Sequence, residues 1–223
     1  MATKQQTDDT TSTAEAEAPV TDATITIDKI AVQTITVPIV GMTPLIVHRF
    51  SEKAKGMMLA AMTGQRQLKE PKDPQAEYQA AFYRIKGGGY GFPSVAFKLA
   101  TIGGARFYGK SVTMTSLRQY LFFYGDPAED GQALVPITGE PVMREDVTRV
   151  ARGGTTLTYR PMFSDWSAVL QVRYVTSAIT QASVLSLIEA GGMGVGVGEW
   201  RPERDGDFGT YRIDPSRKVE VLT

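Results

Sequence analysis

WSAVLQVRYVTSAITQASVLSLIEAGGMGVGVGEWRPERDGDFGTYRI, Trp166 to Ile213, is the stretch that decides how this chain folds. Its first eleven residues alternate apolar and polar side chains, the period of a half-buried strand. Ile179 to Ala190 then carry an amphipathic helix pattern, which Gly191 and Gly192 are expected to end. Seven glycines, four acids and two arginines crowd around Trp200 between Gly191 and Gly209. Glycine this dense weakens helix and strand alike. Such a segment serves close approach to a ligand, a tight series of turns, or a crowded contact between elements. FGTYRI then returns the chain as a short strand.

Upstream, ITIDKIAVQTITVPIVGM from Ile25 is rich in β-branched residues and reads as a strand or a strand pair ending at Thr43-Pro44. LIVHRF leads to a helix opened by Ser51 and stopping near Gly64. Asp73 and Pro74 open a second helix, through QAEYQAAFYRI. A glycine cluster, Gly87 to Gly91, precedes Phe92-Pro93, and Ser94 is the expected cap of a helix with Val95, Leu99 and Ile102 on one side. LRQYLFFYG reads as a strand, ALVPI as another, and VEVL as a last short one. Strand–helix–strand occurring twice predicts an α+β fold with a ferredoxin-like or RNA-recognition-like antiparallel sheet, helices on one face and a long basic insertion. Parallel doubly wound folds require a more regular alternation.

At 223 residues and 42% hydrophobic content the chain can bury a sizeable core, and no apolar run approaches membrane-span length. Cysteine is absent and His48 is the single histidine, which excludes disulfides, thiolate metal sites, Cys nucleophiles and multi-histidine metal sites. The zero net charge conceals an asymmetry. Residues 1–24 carry −4 and almost no large apolar side chain, so a disordered acidic tail is expected there, and residues 25–223, read as one domain, carry +4.

A nucleotide P-loop requires a Lys-Ser/Thr pair opening a helix, and the glycine segment has the reverse context, helix before and strand after. It reads better as a loop whose backbone N–H groups approach a phosphate–sugar chain, with Arg201 and Arg204 adding charge. The plainer reading is a multi-turn connector with Trp200 buried. Arg144, Arg149, Arg152, Arg160 and Arg173 follow one another without a lysine between them, near Tyr159, Phe163 and Trp166. Arginine bonds phosphate bidentately, and aromatic platforms hold single strands without reading sequence. The alternative is a solvated hairpin with local ion pairs. Lys98 and Arg106 lie near one side of the helix after Tyr90. His48 is read as structural, or as the acid–base group of a metal-independent endoribonuclease.

Three segments resemble the RAMP superfamily, in particular the backbone subunits of CRISPR surveillance complexes that polymerise along guide RNA. They are GFPSVAFKLA (Gly91 to Ala100), the arginine-bearing excursion ending in RPMFSDW, and ITQASVLSLIEAGG with GVGVGEWRPERDGDFGTYRI. GMTPLIVHRF and its helix also resemble the N-terminal portion of bacteriophage proteins of this organisation. The resemblance implies a modified RNA-recognition fold, helical self-assembly and a thumb-like insertion at about 142–163. The body is only modestly basic and no CRISPR-specific partner is readable in the chain, so a stand-alone phage relative is expected rather than a CRISPR subunit.

Together these features predict a non-enzymatic, cytoplasmic protein that binds single-stranded DNA or RNA and assembles with copies of itself into a filament, without a cofactor or metal. Lys98, Arg106, Arg149, Arg152, Arg160, Arg173 and Arg201 are the expected backbone contacts. Tyr90, Trp166 and Trp200 are the expected stacking platforms, and Gly191, Gly192, Gly194, Gly196 and Gly198 the expected loop. The rivals are the His48 endoribonuclease and a phage structural or assembly protein.

Overall fold

The computed structural model describes residues 27–64, 71–109, 112–149 and 154–222; the expected acidic tail and Arg152 lie outside them. In chain order the elements are β1 (Val32–Gly41), β2 (Leu45–Ile46), α1 (Glu52–Met62), α2 (Pro74–Ala80), β3 (Tyr83–Arg84), β4 (Tyr90–Pro93) and α3 (Ser94–Gly103). A 3-10 turn, Gly104–Tyr108, continues α3. Then come α4 (Met114–Tyr120), β5 (Leu121–Tyr124), β6 (Asp126–Pro127), β7 (Ala133–Thr138), β8 (Pro141–Arg149), β9 (Thr155–Phe163), β10 (Ser167–Val175) and α5 (Gln181–Gly194). A second 3-10 turn, Pro202–Arg204, precedes β11 (Tyr211–Ile213) and β12 (Glu220–Leu222).

The main sheet is built around β1. On one side it pairs antiparallel with β10 along its length, from Val32↔Val175 to Val40↔Ser167; on the other it takes β11 and β12. β10 divides its far edge: its first residues pair with β7 and its last with β5. Near the centre the strand order is β11/β12–β1–β10–β5, and β7, β4 and β3 extend the sheet past its other corner. The period-two pattern read in WSAVLQVRYVT is the observed burial: Ala168, Leu170, Val172 and Tyr174 are buried, and Val169, Gln171 and Arg173 are exposed. Ile35, Val37 and Ile39 of β1 lie opposite Val172, Leu170 and Ala168, so one face of this pair is core. Phe97, Ala100 and Ile102 of α3 and Val184, Leu187 and Ile188 of α5 join the same core.

α5 runs four residues past Ala190, so Gly191, Gly192 and Gly194 are helical and not loop. Other groups arrive where their side chains would be: the Ala100 and Tyr211 backbone at Gly191 and Gly192, and the Phe107 ring at Gly194. A Cβ on Gly191 would stand 2.4 Å from the Ala100 carbonyl oxygen, and one on Gly104 would stand 2.7 Å from the Gly191 nitrogen. The two helices therefore cross backbone to backbone, with Gly104 against Gly191. Of the three functions open to a glycine-dense segment, this half serves the crowded contact.

Several boundaries differ from the sequence reading. Ser94 is the first residue of α3, not its cap, because Pro93 enters the helix directly. Val95 and Leu99 are exposed whereas Ile102 is buried; α3 packs through Phe97, Ala100, Thr101 and Ile102 against α5, α4 and the sheet. Leu117 to Tyr120 belong to α4, capped by Thr113, and the strand starts at Leu121. Asp73 caps α2 as expected, accepting from the N–H groups of Gln75 and Ala76, but α2 stops at Ala80. The arginine excursion is the β8–β9 hairpin, which pairs with β2 in a separate sheet.

Gly191→Ala should lower stability in urea denaturation by about 1–3 kcal/mol, the usual cost of overpacking. Gly56→Ala in α1, where an added Cβ meets nothing within 4 Å, should raise it by about 0.5–1 kcal/mol. Equal effects would contradict the helix-crossing role of Gly191.

Candidate nucleic-acid interface

Past α5 the remaining glycines do form a loop. Gly196 (φ +68°) and Gly198 (φ +83°) occupy the left-handed region, which a side chain would strain. They let the segment fold against itself and its neighbours. The Val197 N–H donates to the Gly209 carbonyl at 2.9 Å, Glu199 N–H to Ile46 at 3.0 Å, Gly209 N–H to Pro44 at 2.8 Å and Phe208 N–H to Trp200 at 3.0 Å. These amides are committed inside the protein. The donation to phosphate expected of the loop backbone is therefore corrected for these residues: Gly196 and Gly198 let the loop pack against Pro202, Gly209, Leu45 and Ile46, and the charge beside it comes from arginines.

That surface lines an open cleft of about 440 Å³. Val195 to Glu199 form one wall and Leu99, Gly103 and Arg106 another, and Arg118, Arg201, Glu203, Arg204 and His48 are among the other lining residues. Four guanidiniums thus meet two carboxylates, Glu199 and Glu203, in one concavity. Arg201 donates through Nη1 to the Gly198 carbonyl at 3.1 Å and through Nη2 to Glu203 at 3.0 Å. Arg106 reaches the same carboxylate at 3.5 Å. Burial pushes the Glu203 carboxyl upward, but hydrogen bonds from Arg201 and the charges of Arg201 and Arg106 outweigh it and hold the group below its ordinary value.

An ionic junction ties this cleft to the hairpin. Arg160, only 5% exposed, stands 3.9 Å from Asp146 and 4.0 Å from Glu199. Asp146 also accepts from Arg144 Nε at 2.8 Å, and the Arg144 guanidinium lies 4.9 Å from the centroid of the Phe208 ring in the glycine segment. Glu199 stands 3.7 Å from His48 Nδ1. The neighbouring His48 imidazole, with the nearby Arg160 charge, holds the Glu199 carboxyl below its ordinary value against the opposing effect of burial. Arg160 Nε and Nη1 have no hydrogen-bond partner among the described residues, so this charge is held by Coulomb attraction rather than by ideal geometry.

The structure brings Arg106, Arg201, Gly196 and Gly198 together with His48, and separates the other expected residues. Arg160 is a buried anchor of the hairpin and not a surface contact. Trp166, 3% exposed, packs over Gly41 and donates from Nε1 to the Thr43 carbonyl at 2.9 Å, which removes it as a platform. Trp200 is 45% exposed and adopts φ +54°, so the plain reading of a buried indole is also corrected. Tyr90 stacks on Phe82 at 4.4 Å, with Arg84 5.5 Å from its ring centroid. Lys98 donates to the Arg118 carbonyl at 3.1 Å and lies 5.4 Å from the Phe122 ring. Arg149 is exposed at the end of β8, and Arg173 is exposed on the outer sheet face opposite Thr34 and Phe122. Arg118 was hidden in a stretch that reads as strand; the signal for its helix was Thr113, which accepts from the Ser116 N–H as an N-cap. No group of three or more metal-ligating side chains occurs among the described residues, and no helix there is long and apolar enough to cross a membrane.

No family model matches the sequence, and no curated protein matches it. Solved structures do align with it. One is Cmr6 from Pyrococcus furiosus, at 9% identity and a TM-score of 0.42, over 83% of this chain and all of that one. Another is a chain in the cryo-EM structure of the Type III-B Cmr-beta bound to cognate target RNA, at 10% identity and a TM-score of 0.41. That alignment covers 86% of this chain and 61% of the other, so this chain spans less than two thirds of that protein's length.

The depressed Glu199 carboxyl gives a pH test. A carboxyl ionised more readily in the folded state stabilises the fold above its ordinary value, near 4.5, and that stability is lost as pH falls through the lowered value. Glu199→Gln should therefore lose less stability than wild type between pH 7 and pH 3 in urea denaturation; parallel losses would contradict the junction.

Proposed function

We propose that this protein is a RAMP-type, ferredoxin-like module that binds a single strand of nucleic acid without cleaving it, and lines up with copies of itself along that strand. The observation that carries this reading is the cleft, where Arg106, Arg118, Arg201 and Arg204 converge over the Gly196–Gly198 wall. Guanidiniums in a concavity suit a phosphate chain. Trp200 and Tyr90 keep their roles as base-stacking platforms in this reading. Arg149, Arg152, Arg173 and Lys98 remain flanking backbone contacts. The ferredoxin-like assignment is supported by the β11/β12–β1–β10–β5 order, with α3 leading to β5 and α5 following β10.

Self-assembly is supported by two apolar patches on separate elements. Met143, Val147 and Leu157 are exposed on one face of the hairpin, and Met57, Met58, Leu59 and Met62 on α1. Joining unlike patches head to tail propagates an open chain rather than a closed dimer. Sedimentation and anisotropy with labelled single-stranded RNA and DNA test the binding and the assembly. The number of bound copies should rise from a 15-mer to a 60-mer, and Arg201→Ala should flatten the log Kd against log salt slope by about 0.7, one phosphate contact on a single strand. Failure to bind either strand at low salt would overturn the reading.

His48 supports a second reading, a metal-independent endoribonuclease, because it lines the same cleft beside the Glu199 carboxylate, which can orient the imidazole. Cleavage of RNA in EDTA that disappears in His48→Ala would establish it. We expect intact RNA with both proteins.

A further inference from the structure

Arg106 and Arg201 are distant in sequence, one on the turn after α3 and the other beyond the glycine loop, yet both close on a single carboxylate. Arg201 meets Glu203 Oε2 from Nη2 at 3.0 Å and Nε at 3.3 Å, and Arg106 meets Oε1 from Nη1 at 3.5 Å. Each carboxylate oxygen thus takes a different arginine. The third link, from Arg201 Nη1 to the Gly198 carbonyl, pins that guanidinium against the glycine loop and aims its other edge at Glu203. Two non-bridging oxygens of a phosphodiester present the same demand: two anionic acceptors, one guanidinium edge for each. All three side chains line the cleft, and the Arg106 side chain is 57% exposed, so the approach to this pair is open.

We propose that Arg106 and Arg201 form the subsite for one backbone phosphate of the bound strand, and that Glu203 occupies it in the free protein. The inference rests on the nucleic-acid reading and locates one contact within it. Binding then exchanges a carboxylate for a phosphate. Glu203 keeps two like charges from repelling each other in the empty cleft, holds them in register for the incoming strand, and raises the affinity an anion needs to enter. Exposed ion pairs of this kind contribute little to folding, so removal of the carboxylate reads out in binding rather than in stability.

Anisotropy of a fluorescein-labelled uridine 15-mer at 0.1 M salt tests this. Glu203→Gln should bind about three- to tenfold tighter than wild type with an unchanged melting temperature. Glu220→Gln, which removes the same charge from the exposed strand β12, should change affinity less than about twofold. Adding Arg106→Ala to Glu203→Gln should abolish the gain. Glu203→Ser serves as the second variant should the glutamine side chain itself hold the arginines. Unchanged or weaker binding by both Glu203 variants, or an equal gain from Glu220→Gln, would overturn the subsite while leaving the nucleic-acid reading in place. No binding by any of the proteins would overturn both.

Discussion

The contact on which the rest depends is the crossing of α5 over the end of α3, where Gly191 meets Ala100 and Gly104 meets Leu187 and Gly191 backbone to backbone. No side chain fits there, so the interhelical distance is set by the main chain alone. That crossing fixes where α5 ends. It therefore fixes where Gly196 and Gly198 turn the chain, and which wall of the cleft they make. On its other side, the same crossing sets the start of the turn that carries Arg106. Two arginines from remote parts of the chain face one carboxylate because two helices can touch.

A second constraint couples the cleft to the hairpin. Arg160 sits buried between Asp146 on β8 and Glu199 in the glycine loop. Removing Asp146 would leave the Arg160 charge buried, at a cost of about 3–5 kcal/mol. The contact with Glu199, whose side chain is 43% exposed, is screened by solvent. The tie is completed by the Glu199 N–H, which donates to Ile46 of β2, itself paired with β9. The hairpin base and the cleft wall therefore hold a defined relation, while the outer part of the hairpin exposes Val147 and Leu157. In the function proposed above, the fixed cleft meets nucleic acid and the apolar projection meets a neighbouring copy.

Much of this was legible in the sequence where the pattern is local. The β10 alternation, the Asp73 cap and the helix before the glycines follow from periodicity and capping chemistry. Trp166 and Arg160 were not legible, because their burial is decided by partners far along the chain: Gly41 beneath the indole, and Glu199 beside the guanidinium. The glycine segment was half legible. Its density signalled backbone contact, but whether the contact was with a helix or with a ligand depended on Gly103-Gly104, whose part in the crossing is invisible without the fold. Arg118 was missed because the apolar run that follows it drew the whole stretch into a strand.

The most direct measurement of the central claim is photo-crosslinking of a 4-thiouridine-labelled single strand followed by peptide mapping. A strand held in the arginine cleft predicts crosslinks within 195–208 and 99–118. Crosslinks confined to the outer sheet face around Arg173 and Phe122, or none at all under conditions where the strand is bound, would contradict it.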